Sequence, residues 1–322
     1  MTYAFDKIKS CFLGLAVGDA LGVPVEFSSR AQLLAFPVTT MIGYKVWNQP
    51  PGTWSDDSSL SFCLAESLCD GYQLNDVGQK FLAWFKQGYW GAHHQLFDIG
   101  GTTRLAIERI QRGEDPRFSG EVDEDSNGNG SLMRIAPAAL YFADLDIASL
   151  HSRINEVSSI THAHFRSVFS CVIYSRFVAA LFEGKEKFVA FHEAIDDVNA
   201  YCMREGFNAG EMQRFGRILD KRILHASEDS IGSQGYVMHT LEASLWCFLT
   251  TDNFKDAVLK AVNLGGDTDT TGCVTGALAG LYYGEENIPA EWIRVLARQE
   301  DITNLSKNFT DSVKKRILHP NS

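Results

Sequence analysis

Apolar residues recur at helical spacing along most of the chain. Between residues 8 and 19, the positions Ile8, Cys11, Phe12 and Leu15 fall on one stripe at steps of three and four residues. The same spacing, interrupted by Gly or Pro, predicts further helices over 58–69, 101–112, 152–183, 236–250, 253–264 and 271–283. Alternating strand patterns are scarce, and 36–47 (FPVTTMIGYKVW) is the best strand candidate. With no internal repeat or linker, the pattern predicts one all-α domain over 1–322.

Two of these helices carry glycine at every fourth position. One ridge consists of Gly14, Gly18 and Gly22, and the other of Gly272, Gly276 and Gly280. Glycine inside a helix costs about 1 kcal/mol relative to alanine, so three in register need a packing reason. Bare ridges let helices approach closely, and we expect these two helices to form the centre of the bundle. Local flexibility is the alternative.

Composition narrows the range of partners. The formal net charge is −11 and the sequence pI is about 5.3, which argues against a nucleic-acid or anionic-membrane binder. Seven cysteines without a CxxC pair indicate reduced core thiols and favour the cytoplasm. The N-terminal sequence has no apolar signal segment, and no uninterrupted apolar stretch suggests a membrane span.

Carboxylates stand in front of two predicted helices. Asp267 and Asp269 precede one, and Ser55, Asp56 and Asp57 precede another about two hundred residues earlier. A single acid at such a position is ordinarily a helix cap, and capping is the simpler interpretation of either segment alone. Two heads of the same kind could meet if their helices pack side by side. Four carboxylates would then repel one another unless they were protonated or neutralised, and two divalent cations would balance them.

A further carboxylate ends the apolar stripe of the first helix. Asp19 follows the buried positions at helical spacing, so its side chain should also be buried. An unpaired buried carboxylate is costly, and Asp19 therefore needs either hydrogen-bond donors or a cation.

Seven segments, in order, resemble the ADP-ribosylglycohydrolase family, which includes the dinitrogenase reductase-activating enzyme. They are GLAVGDALGVPVEF, GTWSDDS, GGTTRLAIERI, NGNGSLMRIAP, SSITHAHF, GSQGYVMHTLEASLW and GGDTDTTG. The resemblance implies a single large orthogonal all-α bundle with a central cleft that holds a binuclear Mg²⁺ or Mn²⁺ centre. By motif position, the implied metal ligands are Ser55, Asp56, Asp57, Asp267, Asp269 and Thr270.

The resemblance also implies a substrate cleft. Its implied substrate-binding residues are Thr102, Asn129, Gly130, Ser131, Met133, His162 and Tyr236, with Arg104 nearby. From residue type alone, each has a plainer interpretation. The glycine-rich stretch would be an ordinary loop, the histidine and tyrosine would be structural or core residues, and Thr102 and Arg104 would be a helix cap and a surface charge.

The implied activity is metal-dependent hydrolysis that removes ADP-ribose from an acceptor. The resemblance favours arginine on a protein as that acceptor, and serine-linked or small-molecule conjugates and a non-catalytic crystallin-like relative are the alternatives. Asp56, Asp57, Asp269 and Glu26 are the implied catalytic acids, although Glu26 could also be an exposed loop charge.

Two features depart from the pattern of the family. Ser55 stands where many relatives have threonine, which keeps the hydroxyl ligand. The acidic insert GEVDEDS leaves Ser126 where some relatives have an acid. The negative charges of this insert, Asp123 to Asp125, are expected to attract a cationic acceptor over long range or simply to be solvated surface.

Overall fold

The computed structural model describes residues 3–318, and these residues form an all-α bundle. Its helices are α1 (Ile8–Gly22), α2 (Arg30–Ala35), α3 (Asp56–Cys69), α4 (Leu74–Gln87), α5 (Gly101–Gln111), α6 (Ala136–Tyr141), α7 (Ile147–Ser158), α8 (Phe165–Phe182), α9 (Lys187–Glu205), α10 (Ala209–Arg214), α11 (Gly216–Leu219), α12 (Val237–Leu249), α13 (Phe254–Asn263), α14 (Thr268–Tyr283), α15 (Ala290–Val295) and α16 (Gln299–Leu318). Over residues 3–318 there is no β-sheet, only isolated bridges at Glu121–His162 and Gly128–Tyr236. The predicted fold class is confirmed.

Helices α1 and α14 pack against each other more extensively than any other pair, and they lie at the centre of the bundle. Their glycine ridges interlock. A Cβ atom added to Gly18 would lie 2.0 Å from the carbonyl oxygen of Gly272, and one added to Gly276 would lie 2.1 Å from that of Gly14. Because backbone meets backbone at these points, no side chain fits between the helices. The predicted packing role of both ridges is confirmed.

The predicted strand at 36–47 is wrong. This segment is irregular, and the backbone of Val38 forms two hydrogen bonds with the side chain of Asn263. Asn263 Oδ1 accepts from the Val38 amide at 2.8 Å, and Asn263 Nδ2 donates to the Val38 carbonyl at 2.9 Å. Tyr44 adopts a left-handed φ of 59°, which is incompatible with an extended strand.

The predicted helix over 152–183 is two helices. Residues 159–164 separate α7 from α8, and His164 caps α8 by accepting from the Arg166 amide at 3.2 Å. The Glu121 amide donates to the Thr161 carbonyl, and the Ala163 amide donates to the Glu121 carbonyl. Because these backbone amides and carbonyls form hydrogen bonds with Glu121, they are not available for helical hydrogen bonds. The helix is therefore interrupted at His162.

Two helical segments are long and apolar enough to cross a membrane, contrary to the expectation from the sequence. Within residues 3–318 these are Phe5–Val25, with a mean hydropathy of 1.5, and Phe165–Phe182, with 1.4, but 94% and 89% of their most apolar 18 residues are buried inside the protein. Burial at the centre of a bundle requires the same apolar composition.

Candidate active site

The N-termini of α3 and α14 meet beside the C-terminal half of α1. The glycine ridge brings α14 close, since a Cβ added to Gly22 would lie 2.3 Å from the Asp269 amide nitrogen. On the other side, Asp19 reaches the head of α3. Its carboxylate accepts from the amides of Ser55 (2.9 Å) and Ser58 (3.0 Å) and from the Ser58 hydroxyl (2.6 Å). Asp19 is therefore satisfied by donors, and α1 fixes both heads relative to each other.

The head of α3 is capped by a hydroxyl rather than by its acids. Ser55 Oγ accepts from the Asp57 amide at 3.3 Å and donates to Asp57 Oδ2 at 2.9 Å. Asp57 Oδ1 is fully buried and has no hydrogen-bond partner among residues 3–318. Asp56 lies beside it, also buried, and lines the cleft.

The head of α14 does not use Asp267 as a cap. Although Asp267 stands at the capping position, its side chain makes no bond to the helix, and its Oδ2 accepts from Asn129 Nδ2 at 2.8 Å. Asp269 Oδ1 accepts from the Thr270 amide at 2.9 Å, while Asp269 Oδ2 is buried without a partner in the described part of the chain. Capping therefore does not explain these two acids.

The unpartnered oxygens fit a cation. A buried carboxylate oxygen without a donor carries a desolvation penalty, which a hard cation would remove by direct ligation. Oxygen atoms of Glu26, Asp267 and Asp269 lie within 4.8 Å of one another, close enough to hold an ion together. The atoms available as metal ligands at both heads are hydroxyl and carboxylate oxygens, the ligand type that Mg²⁺ and Mn²⁺ prefer.

Burial, and after it mutual repulsion, raises the pKa values of the clustered acids. Burial, followed by the charge of Asp98, raises the pKa of Glu26 to about 8, despite a hydrogen bond from Trp47 that opposes the shift. Burial is also the largest cause for Asp56, Asp57 and Asp269, whose pKa values lie well above the usual range for aspartate. Clustered acids that each favour the protonated form are typical of functional sites.

A cavity of about 350 Å³ opens over the two heads. Most of the residues predicted from the sequence line it: Glu26, Asp56, Asp57, Thr102, Asn129, Gly130, Met133, His162, Asp267 and Thr270. Asp98 also lines the cavity but was absent from the predicted set. Burial and the neighbouring Asp267 raise the pKa of Asp98 to about 6. The only signal in the sequence was a carboxylate close before the Gly100–Gly101 helix start, with no apolar period to mark it as buried.

Gly128, Gly130 and His162 line a part of the cavity that we call the glycine wall. A Cβ added to Gly130 would lie 2.7 Å from His162 Cε1 and 2.9 Å from Thr103 Oγ1, so this position has no room for a side chain. Asn129 ties the wall to the acidic heads, because its Nδ2 donates both to Asp267 and to Thr240 Oγ1 at 2.8 Å. The wall thus exposes backbone to the cavity.

His162 is neutral at physiological pH. Burial, together with the nearby Arg134 charge, lowers the pKa of His162 to about 3. Arg134 is itself fully buried; its Nη2 donates to Thr161 Oγ1 at 2.8 Å, and this hydroxyl is 2.8 Å from His162 Nδ1. The ring is therefore held from behind and presents its other edge to the cleft.

Five of the residues predicted from the sequence do not line the cavity, among them Asp269, which is buried at the head of α14. Ser131 is buried behind the wall, where its hydroxyl accepts from Ser158 Oγ at 2.9 Å. Tyr236 is half-buried, donates to Met238 Sδ at 3.0 Å and packs edge-on against His239. The other two are Ser55, which caps α3, and Arg104, which is exposed and lies over the ring of Phe85.

The acidic insert is anchored beside the glycine wall. Arg166, which is 6% exposed, donates to Glu124 at 2.8 Å and pairs with Glu211 on α10 at 2.7 Å. Asp123 and Asp125 are exposed. Part of the charge of the insert is therefore neutralised within the protein.

The all-α bundle, with its paired acidic helix heads beneath a cleft, has the architecture that the resemblance to the ADP-ribosylglycohydrolases implied. The chain belongs to the ADP-ribosylglycohydrolase family, whose sequence model matches residues 1–318. It is 34% identical to the ADP-ribosylarginine hydrolase Tri1 of Serratia proteamaculans, over 95% of this chain and 79% of that protein. It is 30% identical to the ADP-ribosyl-[dinitrogen reductase] glycohydrolase of Rhodospirillum rubrum, over 90% of each. A solved structure of an ADP-ribosylglycohydrolase-related protein complex superposes with a TM-score of 0.79 at 31% identity, covering 97% of this chain and all of that one.

Proposed function

We propose that this protein hydrolyses the bond between ADP-ribose and an arginine side chain on a modified protein, reversing mono-ADP-ribosylation. The observation that carries the proposal is the pair of buried, unpartnered carboxylate oxygens on Asp57 and Asp269, which lie at the heads of two helices beneath the cleft. The similarity to an ADP-ribosylarginine hydrolase and to a dinitrogen reductase glycohydrolase supports arginine as the acceptor.

The helix heads provide the ligands for two divalent cations, Mg²⁺ or Mn²⁺. We assign Ser55, Asp56 and Asp57 from α3, and Asp267, Asp269 and Thr270 from α14, as the residues that hold them. When bound, such ions orient vicinal hydroxyls of a sugar and lower the pKa of a water molecule. The same charges would neutralise the repulsion that raises the pKa values of these acids.

Glu26 and Asp98 belong to neither helix head, although Glu26 lies within 4.8 Å of Asp267 and Asp269, and we propose that they move protons at the reacting groups rather than hold an ion. Trp47 Nε1 donates to Glu26 Oε2 at 2.5 Å, which fixes the carboxyl group and leaves Oε1 for the cleft. Breaking the ribose–nitrogen bond passes through an oxocarbenium-like state and needs a proton acceptor for water as well as help for the leaving guanidine. These two carboxyl groups face the space in which that exchange would occur.

The glycine wall is the proposed nucleotide side. Gly130 permits close approach of a phosphate or ribose to backbone, while Asn129, Met133 and Thr102 line the same space. His162 stays uncharged and contributes hydrogen bonding rather than a proton. Ser131 would act indirectly, through Ser158, and a contact between Tyr236 and adenine remains a prediction.

The free state of all seven cysteines supports a reducing compartment, and we propose the cytoplasm. The partner is an ADP-ribosylated protein, bound transiently as substrate.

The test is an assay of free ADP-ribose release from arginine-, serine- and acetyl-linked ADP-ribose, with Mg²⁺ or Mn²⁺ present. We expect release from the arginine-linked substrate, with its loss in Asp57→Asn. Serine-linked substrate cleaved faster than arginine-linked would refute the acceptor. No release from any substrate would favour a non-catalytic relative.

A further inference from the structure

Three aromatic side chains form a strip at the mouth of the cleft, which we call the aromatic rim. Phe27 lines the cavity, yet 68% of its surface is exposed. Its ring centroid is 6.2 Å from that of Trp47, which is 5.6 Å from that of Phe97. The three rings come from separate segments, and Phe27 is the member of the strip that lines the cavity.

Phe27 is costly in its position for two reasons. Its φ of 63° is left-handed, a conformation that is uncommon outside glycine and unfavourable for a bulky residue. Its large exposure also forgoes the free energy that burying an apolar ring would provide. The conformation is held by the Phe27 amide, which donates to the Gly266 carbonyl at 2.7 Å. Backbone strain that the surroundings maintain beside a cleft is typical of residues that contact a ligand.

The rim is interleaved with carboxyl groups. Glu26 directly precedes Phe27 and accepts from the indole of Trp47, and Asp98 directly follows Phe97. Both carboxyl groups line the same cavity as Phe27. The faces of aromatic rings carry partial negative charge, so rings and carboxylates together favour a cation, and a planar guanidinium stacks well on such a surface.

The aromatic rim and the glycine wall belong to different parts of the chain. Gly128, Gly130 and His162 line the cavity from segments that contribute no residue to the rim. Asp267 of the α14 head also lines the cavity and contacts Asn129 of the wall. If ADP-ribose contacts the wall residues, Phe27 is part of the cavity lining that remains for the group attached to its ribose.

We propose that the aromatic rim receives the arginyl side chain of the acceptor, with its guanidinium against the ring of Phe27 and beside Glu26 and Asp98. The rim is then the element that selects a cationic acceptor. This inference rests on the proposed arginine specificity and assigns that specificity to named side chains.

The test is a substitution series at Phe27, measured as kcat/KM on an arginine-linked ADP-ribosyl peptide. We expect Phe27→Tyr to match the wild type, because it keeps the aromatic face. Phe27→Ala should lower kcat/KM by roughly 3- to 30-fold, and Phe27→Leu should fall clearly below Phe27→Tyr, since it keeps apolar contact but loses the cation–π attraction. Phe36→Ala is the matched control: Phe36 is 81% exposed on the same stretch of chain but does not line the cavity.

Calorimetry with ADP-ribose alone separates the two sides of the cleft. We expect every Phe27 variant to bind ADP-ribose with the wild-type Kd. A Phe27→Leu enzyme as efficient as the wild type, or a Phe27→Ala loss matched by weaker ADP-ribose binding, would overturn the rim assignment while leaving the hydrolase in place. A wild-type enzyme that binds ADP-ribose but does not cleave the arginine-linked peptide would instead overturn the proposed function, and the rim assignment with it.

Discussion

The substitution Gly18→Ala tests whether the packing of α1 on α14 supports both stability and the site. The added Cβ would lie 2.0 Å from the Gly272 carbonyl oxygen and 2.5 Å from the Gly272 carbonyl carbon. The closest ordinary carbon–oxygen contact between helices is about 3.3 Å, so the two backbones must separate by about 1.3 Å at this point. No flexible side chain lies between them to absorb the change.

The expected loss of stability follows from that separation. Overpacking a core usually costs about 1–3 kcal/mol, and a rigid backbone partner places Gly18→Ala at or above the upper end, about 3 kcal/mol. The displacement also reaches the site, because the next residue, Asp19, holds the amides of Ser55 and Ser58 at the head of α3. We therefore expect weaker Mn²⁺ binding in whatever fraction remains folded.

Urea unfolding monitored by circular dichroism, with wild type and variant in the same buffer, measures this loss. Gly101→Ala is the matched control for stability, because a Cβ there meets nothing within 4 Å, and it should change the free energy of unfolding by less than about 0.5 kcal/mol. If Gly18→Ala were as stable as Gly101→Ala, the close-packed ridge would not be what holds these helices together.

Three other predictions concern the cleft and its surroundings. Burial lowers the pKa of His162, so the unfolded chain binds a proton that the folded protein does not; the contribution of this one side chain to the free energy of unfolding should therefore fall by about 2 kcal/mol between pH 7 and 5, against the opposite contribution of the clustered acids. Urea midpoints at both pH values, compared with His162→Gln, measure this contribution, and identical pH slopes would contradict it. Gly130→Ala should weaken ADP-ribose binding by calorimetry, since its Cβ collides with the buried His162 ring; an unchanged Kd would remove the wall from the nucleotide site. Catalytic efficiency on an arginine-linked protein should fall as salt rises, and neutralising Asp123, Glu124 and Asp125 together should flatten this dependence; an unchanged salt slope would leave the insert as solvated surface.

Local periodicity predicted the helices at the centre of the fold. The glycine ridges are a strong signal because so few packing arrangements tolerate them, and they identified α1 and α14 as partners, although α1 ends three residues later and α14 begins three residues earlier than predicted. Helices α9 and α16 were not among those predicted, although α16 carries Ile302, Leu305, Phe309 and Val313 at helical spacing. Their exposed faces are polar, so apolar residues make up a smaller share of each sequence and the helical period is harder to detect. Packing in the bundle stabilises these helices more than their local sequence does.

The errors have a physical cause in long-range contacts. The stretch 36–47 contains residues that favour strands, but its hydrogen bonds to Asn263 come from a helix more than two hundred residues away. The break at 159–164 likewise depends on pairing with Glu121, which no local pattern reveals.

The acids of the candidate site were predictable only in part. The similar composition of the two helix heads singled out Asp57 and Asp269. Buried carboxylates placed together repel one another, so they must be protonated or neutralised by cations. Asp98 lies on an irregular segment, so its position in the cleft emerges only from the fold. The failure of Asp267 to cap its helix is also a property of the folded state, since Asn129 binds it from another part of the chain.

The central claim is that the heads of α3 and α14 together hold divalent cations. Its most direct test is the stoichiometry of Mn²⁺ binding, followed by electron paramagnetic resonance during titration of the metal-free protein. We predict two Mn²⁺ ions per chain in the wild type and the loss of tight binding at one or both sites in Asp57→Asn and in Asp269→Asn, with the helical circular dichroism of both variants unchanged. Folded wild-type protein that binds no Mn²⁺, or variants that bind it as tightly as the wild type, would contradict the account.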